Sequence, residues 1–198
     1  TLITSSAASD VYKRQDTETL VEVVLENKFK TMLELGTGSG AIAITVLAER
    51  IDATCVATDI SELALEIAAR NSKIHGVQNR LTLLQSDWFS KISGRFDIIV
   101  SNPPYISAKE YNELADEVVD YDPKISLTPG GDGLDSYRQI ISNAREKLRK
   151  NGQLVLEIGY SQAEPVKKLL DGAGFSKIRI HKDLESRDRV LSAQAAEG

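Results

Sequence analysis

The chain has 198 residues, 41% hydrophobic and 27% charged, which are ordinary values for one soluble α/β-sized domain with a sizeable core. The net charge of −5 and the lack of a run of about five basic residues argue against tight nonspecific binding to nucleic acid. The single cysteine, Cys55, excludes an internal disulfide and fits a reducing cytoplasm, and no apolar stretch approaches the roughly 20 residues that span a bilayer.

The first residues show no periodic apolar face. Residues 1–10 are mainly Ser, Ala and Thr, so we expect a disordered or non-native tail there. Asp16-Thr17 then offers an N-cap for a first helix. Four apolar residues share one face of that helix: Leu20, Val21, Val24 and Leu25.

Short apolar runs alternate with amphipathic stretches along the rest of the chain, which predicts alternating strands and helices. The predicted strands are residues 31–35, 53–58, 81–84, 96–101, 153–158, 177–181 and 189–193. The predicted helices are residues 41–50, 62–75, 134–148 and 162–170. Ser61 caps the second of these and Gly76 stops it, and its apolar residues are Leu63, Ala64, Ile67, Ala68 and Ile74. Asn151-Gly152 closes the third.

This alternation implies βαβ units and a mostly parallel sheet in a single domain. The link at residues 182–188 is too short for a crossover helix, so the last two strands should be antiparallel neighbours. Residues 106–133 lack clear periodicity, and a loop of that length is often functional.

A glycine-rich loop, Gly36-Thr37-Gly38-Ser39-Gly40, follows the first predicted strand and precedes a helix. Glycines let the backbone turn tightly and approach a ligand closely, and open α/β sheets bind ligands at this position. The spacing also fits the dinucleotide pattern, so the loop leaves three interpretations open: a dinucleotide, an adenosyl cofactor, or a turn without ligand.

Acidic residues lie at or near the ends of the first three predicted strands. Asp59 lies where a carboxylate accepts hydrogen bonds from ribose hydroxyls, or where an acid stabilises the next helix dipole. Asp87 can accept a hydrogen bond from an adenine amine while Trp88 packs on the adenine ring. Taken alone, Trp88 fits a place in the hydrophobic core equally well. Glu34 can hold an ammonium group, which a dinucleotide lacks, or form a local ion pair.

The segment Asn102-Pro103-Pro104-Tyr105 follows the fourth predicted strand. Two prolines stiffen the loop and remove two backbone donors, which leaves nearby carbonyls free to accept from a ligand. Asn102 adds an amide and Tyr105 a flat aromatic face. The combination predicts an uncharged pocket, rich in acceptors, for a planar group that carries an NH2.

The remaining candidate ligands are isolated along the chain. His75, His181 and Cys55 show no metal-site spacing, so we interpret the histidines as structural or surface residues and Cys55 as a buried, inert thiol, and we expect no metal.

With these motifs in order, the chain resembles the class I S-adenosylmethionine-dependent methyltransferases, and most closely the HemK/PrmC family of protein-(glutamine N5) methyltransferases. Besides residues 34–43 and 102–106, three segments carry the resemblance: Gly130 to Leu134, Leu156 to Tyr160 and Arg187 to Arg189. It covers residues 14–194. It implies a Rossmann-like, seven-stranded, mostly parallel sheet with one antiparallel strand.

The resemblance implies S-adenosyl-L-methionine as cofactor, held by Gly36, Thr37, Gly38, Ser39, Gly40, Asp59, Asp87, Trp88 and Asn102. It implies Asn102, Pro103, Pro104 and Tyr105 as the catalytic segment, acting on the glutamine of the Gly-Gly-Gln loop of peptide-chain release factors. We therefore expect a cytoplasmic monomer whose partner is a release factor, without direct contact to nucleic acid or membrane.

Two departures from the family pattern matter. The family's Pro-Arg pair is Lys13-Arg14 here, so we expect residues 1–14 to be the non-native tail and residues 15–198 the catalytic domain. Full-length members also carry a helical N-terminal domain that docks the release factor, and we expect this chain to be the catalytic domain without it.

Three alternatives to a glutamine methyltransferase stay open. An amine methyltransferase acting on DNA or RNA bases would use the Asn-Pro-Pro-Tyr segment in the same way, to hold the NH2 group of a flipped base. A nicotinamide-dependent oxidoreductase would explain the glycines and Asp59 but would leave Asn102 to Tyr105 without a role. A noncatalytic domain that binds S-adenosylmethionine or a protein is the third.

Overall fold

The computed structural model describes residues 18–106, 108 and 131–196. The strands in these ranges are β1 (Thr31–Leu35), β2 (Thr54–Asp59), β3 (Leu81–Gln85), β4 (Phe96–Ser101), β5 (Leu148–Glu157), β6 (Phe175–Lys182) and β7 (Asp188–Ala195). The helices are α1 (residues 18–25), α2 (Ala41–Glu49), α3 (Glu62–Ile74), α4 (Asp135–Lys147) and α5 (Ala163–Gly172), with a 3-10 turn at Gln78–Arg80.

Within the described residues the seven strands form one sheet in the order β3-β2-β1-β4-β5-β7-β6. The pairs among β1 to β5 are parallel, whereas β7 runs antiparallel to both β5 and β6. This confirms the predicted mostly parallel sheet with one antiparallel strand. The strand order reverses between β1 and β4, and such a reversal opens a crevice at the carboxyl ends of the strands.

The sheet is covered on both faces, which explains its nearly continuous apolar strands. One face packs with α4 and α5, and its strand residues include Leu33, Ile99 and Leu154. The other face packs with α1 and α2, and its strand residues include Met32 and Ile98. In α1, the predicted apolar face is confirmed, because Leu20, Val21 and Val24 are buried and Leu25 is partly buried.

The predicted apolar face of α3 is wrong at two positions. Leu63 is 64% exposed and Ile74 is 77% exposed, whereas Ala68 and Ser72 are buried. At about 100° per residue, Leu63 lies about 140° and Ile74 about 120° around the helix from Ala68. The small residues therefore set the packed face, and the two larger apolar residues point away from it. The predicted Ser61 cap is confirmed, because its side chain accepts from the amide of Ala64.

The predicted stop at Asn151-Gly152 is also wrong. Helix α4 ends at Lys147 and the chain enters β5 directly at Leu148. The register against β4 then shifts between Phe96 and Ile98, and Asn151 takes a φ of 61°. Asn tolerates this left-handed conformation, so the Asn-Gly pair forms a bulge inside the strand.

Several expectations fall outside the described residues: the tail over residues 1–14, the Asp16-Thr17 cap, and most of the segment over residues 106–133. Among the described residues, the helices are each too short or too polar to cross a membrane.

Candidate active site

The candidate site lies where four neighbouring parallel strands end. Strands β3, β2, β1 and β4 are adjacent and parallel, so their carboxyl ends share one edge of the sheet. Asp59 is the last residue of β2, and the other predicted site segments begin directly after their strands, at Ser86, Gly36 and Asn102. The fold thus brings together segments that are up to 66 residues apart, as in the hydrogen bond from Ser101 to Leu35.

The glycine loop is a tight turn that needs its glycines for two different reasons. Gly36, Gly38 and Gly40 have φ angles of 69°, 54° and 83°, which favour glycine. A Cβ on Gly40 would lie 3.0 Å from Ile44 Cδ1 and 3.1 Å from Ala68 Cβ. A Cβ on Gly38 would meet nothing within 4 Å. Gly40 therefore permits the packing of α2 on α3, whereas Gly38 borders open space.

Asp59 joins the glycine loop to the start of α3. Its Oδ2 accepts from the amide of Gly38 at 2.8 Å, and its Oδ1 accepts from the amide of Ser61 at 2.9 Å. Each carboxylate oxygen has two lone pairs, so the group can accept further hydrogen bonds from a ligand. The side chain lies at the predicted place and also orders the loop.

Glu34 is fully buried beneath the loop. Its Oε2 accepts from the Thr37 hydroxyl at 2.7 Å and from the amide of Ala43 at 3.2 Å, so it caps the first turn of α2. Its Oε1 has no hydrogen-bond partner among the described residues. Burial raises the pKa of this carboxyl to about 7, although the bonds from Thr37 and Ala43 act in the opposite direction. Hydrogen bonds from Thr37 and Ala43 hold Glu34, rather than the local ion pair that the sequence left open. No signal in the sequence pointed to these two contacts.

Ser86 shapes the turn that presents Asp87 and Trp88. The amide of Ser86 donates to the carbonyl of Asp59 at 3.0 Å, and its hydroxyl donates to the carbonyl of Trp88 at 3.0 Å. Trp88 has a φ of 43°, and its Cζ3 lies 3.9 Å from where a Cβ on Gly36 would be. Asp87 is exposed and Trp88 half-buried. One edge of the indole therefore lies near Gly36, at the start of the glycine loop.

The Asn-Pro-Pro-Tyr segment leaves β4 beside the glycine loop. The Ser101 hydroxyl donates to the carbonyl of Leu35 at 2.8 Å, which ties the end of β4 to the end of β1. Pro103 is buried, and Asn102, Pro104 and Tyr105 are half-buried. The segment is thus firmly held where it leaves the sheet.

Gln162, for which the sequence predicted only a place at the start of a helix, contacts this segment. Gln162 Nε2 donates to the carbonyl of Tyr105 at 2.8 Å. A Cβ on Gly159 would lie 2.9 Å from Gln162 Oε1 and 3.4 Å from Tyr105 Cδ2. The turn after β5 therefore packs against the Asn-Pro-Pro-Tyr segment.

An exposed ion-pair cluster holds the part of the Gly130 to Leu134 segment that the structure describes, which begins at Gly131. Asp132 binds Arg138 at 2.6 Å and accepts from the amide of Leu134 at 3.0 Å. The hydrogen bond from Arg138 lowers the pKa of the Asp132 carboxyl to about 2. The carbonyl of Gly131 accepts from the amide of Ala108 at 3.1 Å, which places this turn beside the chain that follows Tyr105.

The cysteine is buried, His75 is exposed at the end of a helix, and His181 lies between two strands. Cys55 is buried in β2, and this burial raises the pKa of its thiol. His75 forms the C-cap of α3, and the His181 ring shares a 2.8 Å hydrogen bond with the Ser192 hydroxyl between β6 and β7. The part of the chain that the structure describes contains no group of three His, Cys, Asp or Glu residues placed to hold a metal ion.

Comparison with known proteins identifies the family. A family model described as the methyltransferase small domain matches residues 12–134. The release factor glutamine methyltransferase of Xylella fastidiosa is 43% identical over 194 residues, covering 96% of this chain and 69% of the relative. The chain belongs to the release factor glutamine methyltransferase family. The resemblance drawn from the sequence motifs is confirmed.

Other relatives within this methyltransferase group are longer than the chain. The release factor glutamine methyltransferase of Cereibacter sphaeroides is 49% identical over 181 residues, which is 91% of this chain and 65% of the relative. A bifunctional methyltransferase of Rickettsia typhi is 42% identical over 187 residues, and the match covers 91% of this chain and 36% of that protein. The chain thus spans about one third to two thirds of the length of these two relatives.

Solved structures agree with the methyltransferase fold. A methyltransferase from Pyrococcus furiosus superposes with a TM-score of 0.67 at 19% identity, covering 90% of this chain and 80% of the other. A ribosomal protein L11 methylase from Lactobacillus delbrueckii superposes with a TM-score of 0.62 at 21% identity, covering 91% and 76%. At these identities the similarity shows the fold alone.

Proposed function

We propose that this domain methylates the side-chain amide nitrogen of a glutamine, with S-adenosyl-L-methionine as the methyl donor. The observation that carries the proposal is the placement of Asn102-Pro103-Pro104-Tyr105 beside the glycine loop, through the 2.8 Å bond from Ser101 to Leu35. A rigid acceptor-rich segment beside a nucleotide-type loop suits an amide NH2 as the methyl acceptor.

The residues around the glycine loop fit an adenosyl cofactor. The space beside Gly38 is open, since a Cβ there would meet nothing within 4 Å. Asp59 retains lone pairs for ribose hydroxyls, and Trp88 offers an aromatic face near Gly36. The cofactor set would be Gly36, Thr37, Gly38, Ser39, Gly40, Asp59, Asp87, Trp88 and Asn102. When bound, the cofactor supplies an electrophilic methyl group on a sulfonium.

The catalytic task of the chain is to hold a poor nucleophile. An amide nitrogen is weakly nucleophilic because its lone pair is delocalised into the carbonyl. The Asn102 side-chain oxygen and the Pro103 carbonyl would accept the two N–H bonds and favour the geometry in which that lone pair is localised. Tyr105 would pack on the amide plane, and Pro104 would keep the loop stiff. Positioning of this kind can lower the barrier by several kcal/mol.

The proposed substrate is the Gly-Gly-Gln loop of a peptide-chain release factor. Two relatives, at 49% and 43% identity, are named release factor glutamine methyltransferases. The net charge of −5 gives no reason to expect a nucleic-acid substrate. A release-factor partner would place the reaction in the cytoplasm, where translation terminates.

The proposal is tested by following label from S-adenosylmethionine. The acceptors are a purified release factor, its Gly-Gly-Gln→Gly-Gly-Ala variant, duplex DNA and RNA. We expect label on the wild-type release factor only. Label on DNA or RNA would replace the proposal with base-amine methylation. No label on any acceptor, while calorimetry shows intact cofactor binding, would contradict release-factor methylation by this domain alone.

A further inference from the structure

Gln162 connects three segments that lie far apart in the chain. Its Nε2 donates to the carbonyl of Tyr105 at 2.8 Å and, more weakly, to the carbonyl of Gly133 at 3.4 Å. Its Oε1 accepts from the amide of Gly159 at 3.1 Å. One amide thereby joins the Asn-Pro-Pro-Tyr segment, the Gly131 to Leu134 turn and the turn after β5.

The position of Gln162 in its helix does not explain this arrangement. Gln162 is the N-cap residue of α5, yet its side chain makes no capping hydrogen bond. An N-cap side chain ordinarily accepts from the first turn of its own helix. Here the side-chain amide turns away from α5 and satisfies both its donor and its acceptor groups elsewhere.

The surroundings of Gln162 leave room for this side chain in particular. A Cβ on Gly159 would lie 2.9 Å from Oε1 and 3.3 Å from Cδ of Gln162. The Tyr137 hydroxyl lies 3.4 Å from Oε1, but its single proton is better placed toward the carbonyl of Glu157 at 3.0 Å. Oε1 therefore relies on the amide of Gly159, and Nε2 is free to donate to Tyr105.

Two hydrogen bonds to other elements lie at the two ends of the Asn-Pro-Pro-Tyr segment. Pro103 and Pro104 have no N–H, so these two residues cannot hold the loop through backbone donors. The Ser101 hydroxyl anchors the start of the segment on β1, and Gln162 anchors its end through the carbonyl of Tyr105. The proposed acceptor pocket, Asn102 to Tyr105, begins directly after the first anchor and ends at the second.

We propose that Gln162 is a positioning residue for methyl transfer, which sets the orientation of the Asn102 to Tyr105 segment through the Tyr105 carbonyl. The proposal rests on the proposed function, because the segment it positions is the proposed acceptor pocket. A displacement of about 1 Å at such a site can cost about 100-fold in rate. Gln162 acts through the backbone and need not touch the substrate.

The first test exchanges the donor for a titratable group. In Gln162→Glu, the side chain keeps an acceptor for Gly159, but an ionised oxygen replaces the donor that faces Tyr105. Protonation of that carboxyl restores an O–H donor. We expect kcat to fall about tenfold or more at pH 8. The ratio of variant to wild-type kcat should then rise as the pH is lowered toward about 5.5.

Two variants make the comparison specific. Gln162→Leu cannot donate at any pH, so its kcat should stay low without recovery. Glu164→Gln changes an exposed residue in the first turn of the same helix and should match the wild type. Calorimetric dissociation constants for S-adenosylmethionine should agree within about tenfold across the set, because Asn102 is the one proposed cofactor residue in the segment that Gln162 positions. A pH-independent ratio for Gln162→Glu, or near-normal kcat for Gln162→Leu, would overturn the proposal.

A second measurement separates this proposal from the proposed function. Hydrogen exchange of the peptide that contains residues 102–106 needs no methyl acceptor. We expect faster exchange in Gln162→Leu than in the wild type and Glu164→Gln, since the Tyr105 anchor is lost. Equal exchange in all three proteins would overturn the positioning role, even if the wild type methylates the release factor. Faster exchange in Gln162→Leu, together with a wild type that methylates no acceptor, would instead count against the proposed function alone.

Discussion

Gly40 and Gly38 form a matched pair for testing how the glycine loop is built. Both residues have positive φ, so an alanine at either position takes a left-handed conformation that costs about 1–2 kcal/mol. Only at Gly40 does the new Cβ meet packed atoms, at 3.0 Å from Ile44 Cδ1 and 3.1 Å from Ala68 Cβ. Overpacking of this kind costs about 1–3 kcal/mol. Gly40→Ala should therefore be about 1–3 kcal/mol less stable than Gly38→Ala.

Urea unfolding of both variants measures this difference directly. The gain from restricting the unfolded chain is common to both and cancels between them. Gly172→Ala serves as a control, because Gly172 ends α5, has no positive φ and would place its Cβ in open space. We expect that control to be unchanged or up to about 1 kcal/mol more stable. Equal free energies of unfolding for Gly40→Ala and Gly38→Ala would refute the packing argument.

Three further predictions concern the site and its pH dependence. Asn102→Ala should bind S-adenosylmethionine within about tenfold of the wild type, because the glycine loop and Asp59 remain, but should lose about 100-fold or more in methyl-transfer rate; near-normal turnover would remove Asn102 from the mechanism. Asp59→Ala should weaken S-adenosylmethionine binding about 10-fold or more, because charged hydrogen bonds are lost; calorimetry showing an unchanged dissociation constant would reject its ribose role. Glu34 has a folded-state pKa raised to about 7 from 4.5, so its contribution to stability is fully present below pH 4.5 and is lost as the pH rises through about 7. Between pH 4.5 and 8, the unfolding free energy of the wild type should therefore fall relative to that of Glu34→Gln by on the order of 3 kcal/mol. Urea unfolding at several pH values measures both free energies, and a difference between them that does not change with pH would contradict this.

Local patterns were enough to predict most of the fold. Strands β1 and β4 occupy the predicted residues, and the other predicted strands differ from the observed ones mainly at their ends. These elements follow from apolar runs, caps and glycines within a few residues, as at Ser61 and Gly76. The same local signals predicted that Gly36, Asp59 and Asn102 would follow parallel strands, whose carboxyl ends must share one edge of the sheet.

The errors lie where contacts with other elements outweighed the local pattern. In α3, the apolar spacing suggested that Leu63 would be buried, but the close approach of α2 at Gly40 makes Ala68 the packed residue. At Asn151, the Asn-Gly pair is typical of the end of a helix, but the pairing of β5 with β4 makes it a bulge. Neither outcome is encoded within a few residues of the position concerned.

The sequence by itself determined the order of strands and helices along the chain. It also determined the positive φ angles of the glycine loop and the two fixed φ angles at Pro103 and Pro104, because each depends on the backbone preferences of the residues themselves. Only the tertiary structure decided that Glu34 lies buried beneath the loop and that Gln162 holds the carbonyl of Tyr105, 57 residues away. The Glu34 carboxyl and the Gln162 side-chain amide acquire their roles from partners that the fold supplies, and those partners carry no signal in the local sequence.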